Sequence, residues 1–324
     1  MSGNNSYQKR ELGQTGLRVT PIGLGVMQFS GGSGIFGMAF PDLSQEDMTQ
    51  IVQAALDGGI NWFDTAEMYG LGNSERGLST ALQTLKVPDD EVIIGTKWLP
   101  YLRTAGNIPR TIDRRLDFLD GYTIDLYMIH QPQSFSSPEA EMEAMADLVE
   151  AGKIRSVGVS NFSADRMRRA YEALEKRGLP LAVNQVQYSL LHRNIETNGV
   201  LETARELGVT IVAWSPLARG ILTGKFYTHP EIYDQLPIGR KMMMRKLING
   251  SGPVIEGLNK ISVKHGVTPA QVALNWVINF QGETVVAIPG ASKARQAEES
   301  AAVMKFRLTD AELEELNELS KDFR

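Results

Sequence analysis

Eight short apolar or β-branched runs, separated for most of the chain by helix-like spacers, set the strongest limit on how this sequence can fold. They lie at residues 22–27, 61–64, 92–97, 123–130, 156–160, 182–187, 209–214 and 284–289. Up to the seventh run their starts are 26 to 39 residues apart, about the length of one β–α unit. Several are nearly continuous in apolar residues, as strands covered on both faces require. The spacers carry apolar residues at helical spacing over 48–56, 74–85, 109–119, 137–151, 163–176, 195–207 and 268–280. Ser44-Gln45-Glu46-Asp47 reads as an N-cap with acids in the first turn, and Gly58-Gly59 stops the helix behind it. Terminal helices are expected at 292–303 and 309–321, the second opened by a capping box, Thr309 to Glu312.

Eight such units without a linker predict an α/β fold, a (β/α)8 TIM barrel, as a single domain over residues 1–324. Residues 1–8 read as a flexible N-terminus, and 10–12 and 17–20, flanking Gly13-Gln14-Thr15-Gly16, read as a hairpin. A doubly wound dinucleotide-binding sheet would need a GxGxxG turn opening a helix. The nearest stretch, Gly31-Gly32-Ser33-Gly34-Ile35-Phe36-Gly37, lacks that phasing and reads as a strand-to-helix loop. Residues 216–262, rich in Gly and Pro and carrying Arg240-Lys241 and Arg245-Lys246, read as a long loop of the kind that covers a ligand.

Composition narrows the chemistry. The chain has no cysteine, which excludes disulfides, thiol nucleophiles and Cys-ligated metal centres. Its four histidines, His130, His192, His229 and His265, show no metal-ligand spacing, so no metal is expected. A net charge of −5 without a basic tail weighs against a nucleic-acid partner. The polar start MSGNNSYQKR and the lack of any run of 18 apolar residues predict a cytoplasmic protein with no membrane association.

Barrel chemistry sits at the C-terminal ends of strands. Asp64, Lys97 and His130 end three successive runs, and Tyr69 lies five residues beyond Asp64. Singly, each has a structural explanation: a turn cap, a solvated charge, a hydrogen-bonded imidazole, a loop aromatic. Together they make a coherent set. Lys97 is expected to stabilise the phenolate of Tyr69 and lower its pKa, with Asp64 holding the lysine. His130 can donate to a carbonyl oxygen. If Tyr69 protonates a developing alkoxide, the hydride must come from a redox cofactor, because no side chain supplies one.

The run Phe63-Asp64-Thr65-Ala66-Glu67-Met68-Tyr69-Gly70, followed by Asn73-Ser74-Glu75, resembles a signature of the aldo-keto reductase superfamily. Asp64, Tyr69, Lys97 and His130 fall on its catalytic tetrad. The resemblance runs from about residue 9 to 320 and implies an NADPH/NADP+-dependent barrel enzyme whose N-terminal hairpin closes the bottom. It assigns Ser160, Asn161 and Gln185 to the nicotinamide carboxamide and Trp214 to the nicotinamide ring. Ser215, Pro216, Leu217, Arg219, Gly220 and Lys225 resemble the pyrophosphate loop. Gly290, Ser292, Lys293, Gln296, Glu299 and Ser300 match the adenine end, where Ser292 is expected to open a helix and Lys293 to read the 2′-phosphate. Arg240 matches a further phosphate contact, and Met27 is placed with the cofactor and in the pocket wall beside Phe36, Trp62 and Trp98.

Gln296 stands where many members have Arg, which is similar to the branch holding bacterial general-stress reductases and potassium-channel β subunits. The implied activity is reduction of an aldehyde or ketone, a small-molecule carbonyl substrate. The channel-associated likeness adds an alternative, an NADP(H)-binding, redox-sensing regulatory subunit with slow turnover. The chain is long enough to bury its own core, so the sequence requires neither a monomer nor a homo-oligomer.

Overall fold

The computed structural model describes residues 7–31, 42–236 and 238–324, apart from the side chains of Ile238, Arg240 and Met243. The chain opens with an antiparallel hairpin, β1 (Arg10–Glu11) and β2 (Arg18–Val19). All eight runs then form parallel strands: β3 (Leu24–Gly25), β4 (Trp62–Asp64), β5 (Ile93–Trp98), β6 (Leu126–Ile129), β7 (Ser156–Ser160), β8 (Leu181–Gln187), β9 (Thr210–Trp214) and β10 (Val285–Ile288). They are ordered around the sheet as in the chain. The seam between first and last is joined by Gly23 N–H to Ala287 O (2.8 Å), Gly25 N–H to Pro289 O (3.0 Å) and Ala287 N–H to Pro21 O (2.9 Å). The sheet thus closes on itself, and the expected (β/α)8 barrel is the observed fold.

The hairpin covers the N-terminal ends of the strands. Leu12, Leu17 and Val19 pack on Trp62, Leu126, Met128, Val183, Val212 and Val286 inside the barrel. Arg10 Nη1 donates to Val285 O at 2.5 Å, and Trp62 Nε1 donates to Thr20 O at 2.8 Å. Trp62 therefore belongs to the bottom plug and not to the pocket wall. Trp98 is also displaced from that wall: it is fully buried in the layer between sheet and helices, with Nε1 donating to Asn107 Oδ1.

Around the barrel run α1 (Gln45–Asp57), α2 (Asn73–Thr84), α3 (Ile108–Leu119), α4 (Pro138–Glu150), α5 (Ala164–Glu175) and α6 (Val200–Leu207). Ser44 and Asp47 form a reciprocal capping box on α1, which satisfies two of its orphan N–H groups. α6 is shorter than the 195–207 expected. Gly199, at φ 84°, precedes it in left-handed backbone, and residues 194–196 make only a 3-10 turn.

The segment 216–262 requires a larger correction. It is mostly helical, with α7 (Lys225–Thr228), α8 (Pro230–Asp234), α9 (Ile238–Gly250) and α10 (Gly252–His265). α10 buries Val254, Ile255, Leu258 and Ile261 on one face, and Pro253 sits in its first turn, where a missing N–H costs nothing. The chain continues with α11 (Pro269–Asn279), α12 (Ala294–Ala302) and α13 (Asp310–Leu319). Thr309 and Glu312 cap α13 as a box. Phe36 and residues 1–6 of the expected flexible N-terminus lie outside the described residues.

Candidate active site

The C-terminal mouth of the barrel gathers the ionisable strand ends. Asp64 closes β4, and in the parallel register it faces Gly95, so Lys97 stands two residues further along β5. Lys97 Nζ donates to Asp64 Oδ1 at 2.6 Å and to Thr65 O at 2.8 Å. Across the barrel, Gln185 Nε2 donates to the other carboxylate oxygen, Oδ2, at 2.8 Å. The lysine and aspartate side chains are 0% and 3% exposed, so each needs the other to be tolerated as an ion. Tyr69 meets His130 edge-on, ring centroids 5.6 Å apart at 85°. Lys97 Nζ lies 5.2 Å from the Tyr69 ring centroid. The four tetrad positions therefore come together at one place.

The charges of this cluster follow from burial. Loss of water, with the nearby Lys97 cation, pushes the His130 imidazole down to about 3, so the ring is neutral at ordinary pH. Its Nδ1 is buried without a hydrogen-bond partner. Burial also drives the Lys97 ammonium down, while Asp64 and then Glu75 oppose that shift. The Tyr69 phenol moves up, through burial and then the Asp64 carboxylate. The expectation that Lys97 lowers it fails in this state. The lysine charge is largely cancelled by a carboxylate at 2.6 Å, and desolvation of the phenolate wins.

The positions matched to the cofactor form an arc beside this cluster. Asn161, in left-handed backbone at φ 60°, accepts from Trp214 Nε1 at 3.1 Å and donates to Ser160 Oγ at 3.0 Å. Ser160 Oγ and Asn161 N–H both donate to Gln185 O, which ties β7 to β8. Beyond Trp214 the backbone turns left-handed at Ser215, Ala218, Arg219 and Gly220, a curvature suited to an anion-binding concavity. Pro216 and Leu217 lie within this turn. A Cβ on Gly220 would sit 3.2 Å from Lys225 Nζ, so the lysine folds directly over that glycine.

At the far end, Gly290 bridges to Gly25 across the barrel seam, and a Cβ there would collide with the Gln28 amide. Met27, half-buried, starts the 3-10 turn that carries Gln28. Ser292 does not open α12. Lys293, exposed, is its N-cap, with no side-chain cap bond. Gln296 Oε1 accepts from Ser292 N–H at 2.8 Å, which ties the residue before the N-cap to the first turn of the helix. Glu299 pairs with Arg295 at 3.1 Å, and Ser300 is buried. Arg240 falls in α9, and its side chain lies outside the described residues.

Sequence reasoning assigned no role to several buried polar groups behind the mouth. Glu75, within a recognised motif, pairs with Arg115 at 2.8 Å. Glu67 holds Arg103 at 2.9 Å and accepts from Leu99 N–H at 2.9 Å. For Glu75 and Arg115 the available signal is a charged residue at the burial phase of α2 and of α3; Glu67 and Arg103 lie in loops and carry no such signal.

A closed parallel barrel with its ionisable cluster at the C-terminal mouth is the layout of a barrel enzyme. More narrowly, the chain belongs to the aldo/keto reductase family, whose model matches residues 21–321. It is 31% identical over 329 residues to the chloroplastic pyridoxal reductase of Arabidopsis thaliana, covering 98% of this chain and 87% of that protein. It is 36% identical over 313 residues to an uncharacterized oxidoreductase of Mycobacterium tuberculosis, covering 95% of this chain and 91% of the relative. Among solved structures, a thermostable aldo-keto reductase in complex with the inhibitor epalrestat superposes with a TM-score of 0.76 at 29% identity, over 97% of this chain and 100% of that one. An aldo-keto reductase from Klebsiella pneumoniae in complex with NADPH gives 0.73 at 26%, over 97% and 95%.

Proposed function

We propose that this protein is an NADPH-dependent reductase of an aldehyde or ketone. The observation that carries the reading is the buried Lys97–Asp64 pair set beside Tyr69, with a neutral His130 facing the phenol. Tyr69 keeps its proton until a carbonyl oxygen gains negative charge, then donates it to that oxygen. Lys97, 5.2 Å from the ring centroid, is the cation beside the phenolate left behind and offsets part of its cost of burial, and Asp64 keeps the lysine in place. Neutral His130 donates a hydrogen bond to the same oxygen. A bound nicotinamide supplies the hydride.

The residues on the arc fit such a cofactor. Ser160, Asn161 and Gln185 would hold its carboxamide and Trp214 its ring. Ser215, Pro216, Leu217, Arg219, Gly220 and Lys225 would hold the pyrophosphate, which the left-handed turn and the lysine folded over Gly220 both favour. Gly290, Ser292, Lys293, Gln296, Glu299 and Ser300 would take the adenosine end, with Met27 and Arg240 beside it. The NADPH in the Klebsiella structure supports the cofactor choice. The name of the Arabidopsis relative, a pyridoxal reductase, supports a carbonyl substrate. Gln296 supports placement near the stress-reductase and channel-subunit branch.

The test is NADPH oxidation with a panel of aldehydes that includes methylglyoxal and 4-nitrobenzaldehyde, followed through both burst and steady state. Sustained turnover is expected. Tight NADPH binding with no turnover of any aldehyde overturns the reading and leaves the redox-sensing subunit in its place.

A further inference from the structure

The loop that carries Tyr69 is closed by two buried polar residues at the start of α2. Ser74 N–H donates to Tyr69 O at 3.2 Å. Ser74 Oγ donates to Val26 O at 2.6 Å and accepts from Thr65 Oγ1 at 2.9 Å. Thr65 O, in turn, is one of the two acceptors of Lys97 Nζ. The next residue, Glu75, accepts from Thr96 Oγ1 at 2.7 Å through Oε1, and its Oε2 lies 2.8 Å from Arg115 Nη1. Thr96 and Lys97 are consecutive on β5, so their side chains leave opposite faces of the sheet. Thr96 reaches out to Glu75, while Lys97 reaches in to Asp64.

The result is a stack of alternating charge through the barrel wall, in the order Arg115, Glu75, Lys97, Asp64. All four are essentially out of water. Burial raises the Glu75 carboxyl to about 7 against the opposing pull of Arg115 and Thr96, so it is an anion of this stack above neutral pH, the range of an alkaline limb. Other ionisable groups around it are Glu67, Arg76 and Tyr127. Nothing about helix packing requires a carboxylate here. Glu75 Oε2 and Arg115 Nε and Nη1 lack a well-directed hydrogen bond, and the Tyr127 hydroxyl has no partner. A pair that is imperfectly satisfied and deeply buried is poor stabilisation.

We propose that Glu75 is a positioning residue, a buried carboxylate behind the sheet that fixes the Tyr69 loop on β5 and holds the Lys97 ammonium charged from the side opposite Asp64. It touches no reacting atom and acts only through Thr96 and the field across one strand. This rests on the reading of Lys97 and Tyr69 given under Proposed function. The direction of the Lys97 shift accords with it, since Glu75 is one of the two anions opposing loss of the lysine proton.

The experiment follows the Lys97 ammonium by 15N NMR titration, its signal assigned by comparison with Lys97→Met, alongside the pH profile of kcat for aldehyde reduction. Glu75→Gln removes the anion and leaves the Arg115 charge unopposed. Both the NMR midpoint and the alkaline limb of kcat are expected to fall by about half a unit or more. Glu75→Gln/Arg115→Met removes both charges, so the fall should be smaller than in the single variant. Thr96→Val, which keeps the ion pair, should lower kcat several-fold with little movement of the limb and no loss of NADPH affinity. A merely structural role would lower kcat at all pH values without moving the midpoint, and that result in folded variants overturns the inference. If Glu75→Gln fails to fold, the wild-type and double-variant midpoints decide: equal values overturn it. A shifted midpoint in a protein that turns over no aldehyde supports the coupling and counts against the proposed reductase activity alone.

Discussion

Breaking and then rebuilding the Lys97–Asp64 pair gives a direct test of the site's electrostatics. Among the described residues, Lys97→Met leaves the Asp64 carboxylate, 3% exposed, with the Gln185 amide as its side-chain hydrogen-bond partner, and strips Thr65 O of its side-chain donor. Orphaning one member of a buried pair costs about 3–5 kcal/mol. Asp64→Asn leaves the converse, a fully buried ammonium without its ion-pair partner; the single asparagine oxygen replaces the two that served Lys97 and Gln185, and a similar cost is expected. In Asp64→Asn/Lys97→Met no charge remains, and the asparagine oxygen can still accept from Gln185. The main loss is the unsatisfied Thr65 carbonyl, about 1–3 kcal/mol. The double variant should therefore unfold at a higher urea concentration than either single one, with a coupling of several kcal/mol. All three should lack reductase activity. Stability losses that simply add, with the double variant the weakest, would show that the pair is solvated or uncoupled and would refute the reasoning.

The barrel was legible because each parallel strand, covered on both faces, must be apolar for its full width, and the eight runs carry that signature. Helix starts were legible where the cap was chemical, as at Ser44 and Thr309, and lost where it was conformational, as at Gly199. Residues 216–262 misled for a related reason. Its glycines and prolines carry the signature of helix breakers, yet Gly250, Gly252 and Pro253 mark a boundary between two helices, and the apolar face of α10 is present in the sequence. Tyr69, Lys97 and Asp64 could be placed by chain order, because a closed barrel puts successive strand ends side by side. The pKa of Tyr69 could not, because its sign depends on how completely Asp64 neutralises Lys97, which is a matter of ångströms. Trp62 shows the same limit. Its position on a strand was evident, but whether it pointed up to the mouth or down to the hairpin depended on register.

Three further outcomes are expected. Tyr69→Phe should cut kcat by about 10²-fold or more while leaving NADPH affinity nearly intact, since it removes one proton and no cofactor contact; lost binding in a fluorescence titration would contradict its role. Lys293→Ala should weaken NADPH more than NADH, and equal weakening would mean that this exposed lysine does not read a 2′-phosphate. The last concerns α13. Burial opposes the charge of Glu312, but Lys264 (2.6 Å), the Thr309 cap and His265 (3.0 Å) outweigh it and hold the carboxyl down to about 2. A folded-state value below the unfolded one means stability that is present above the unfolded pKa, roughly 4.5, and lost as pH falls towards 2. With Lys264 largely in water, the contribution is on the order of 2 kcal/mol at neutral pH. Glu312→Gln should therefore lower the urea midpoint at pH about 7 and approach wild type as pH drops below about 4. A gap that stays constant across that range would assign the loss to packing of the cap and not to the charge.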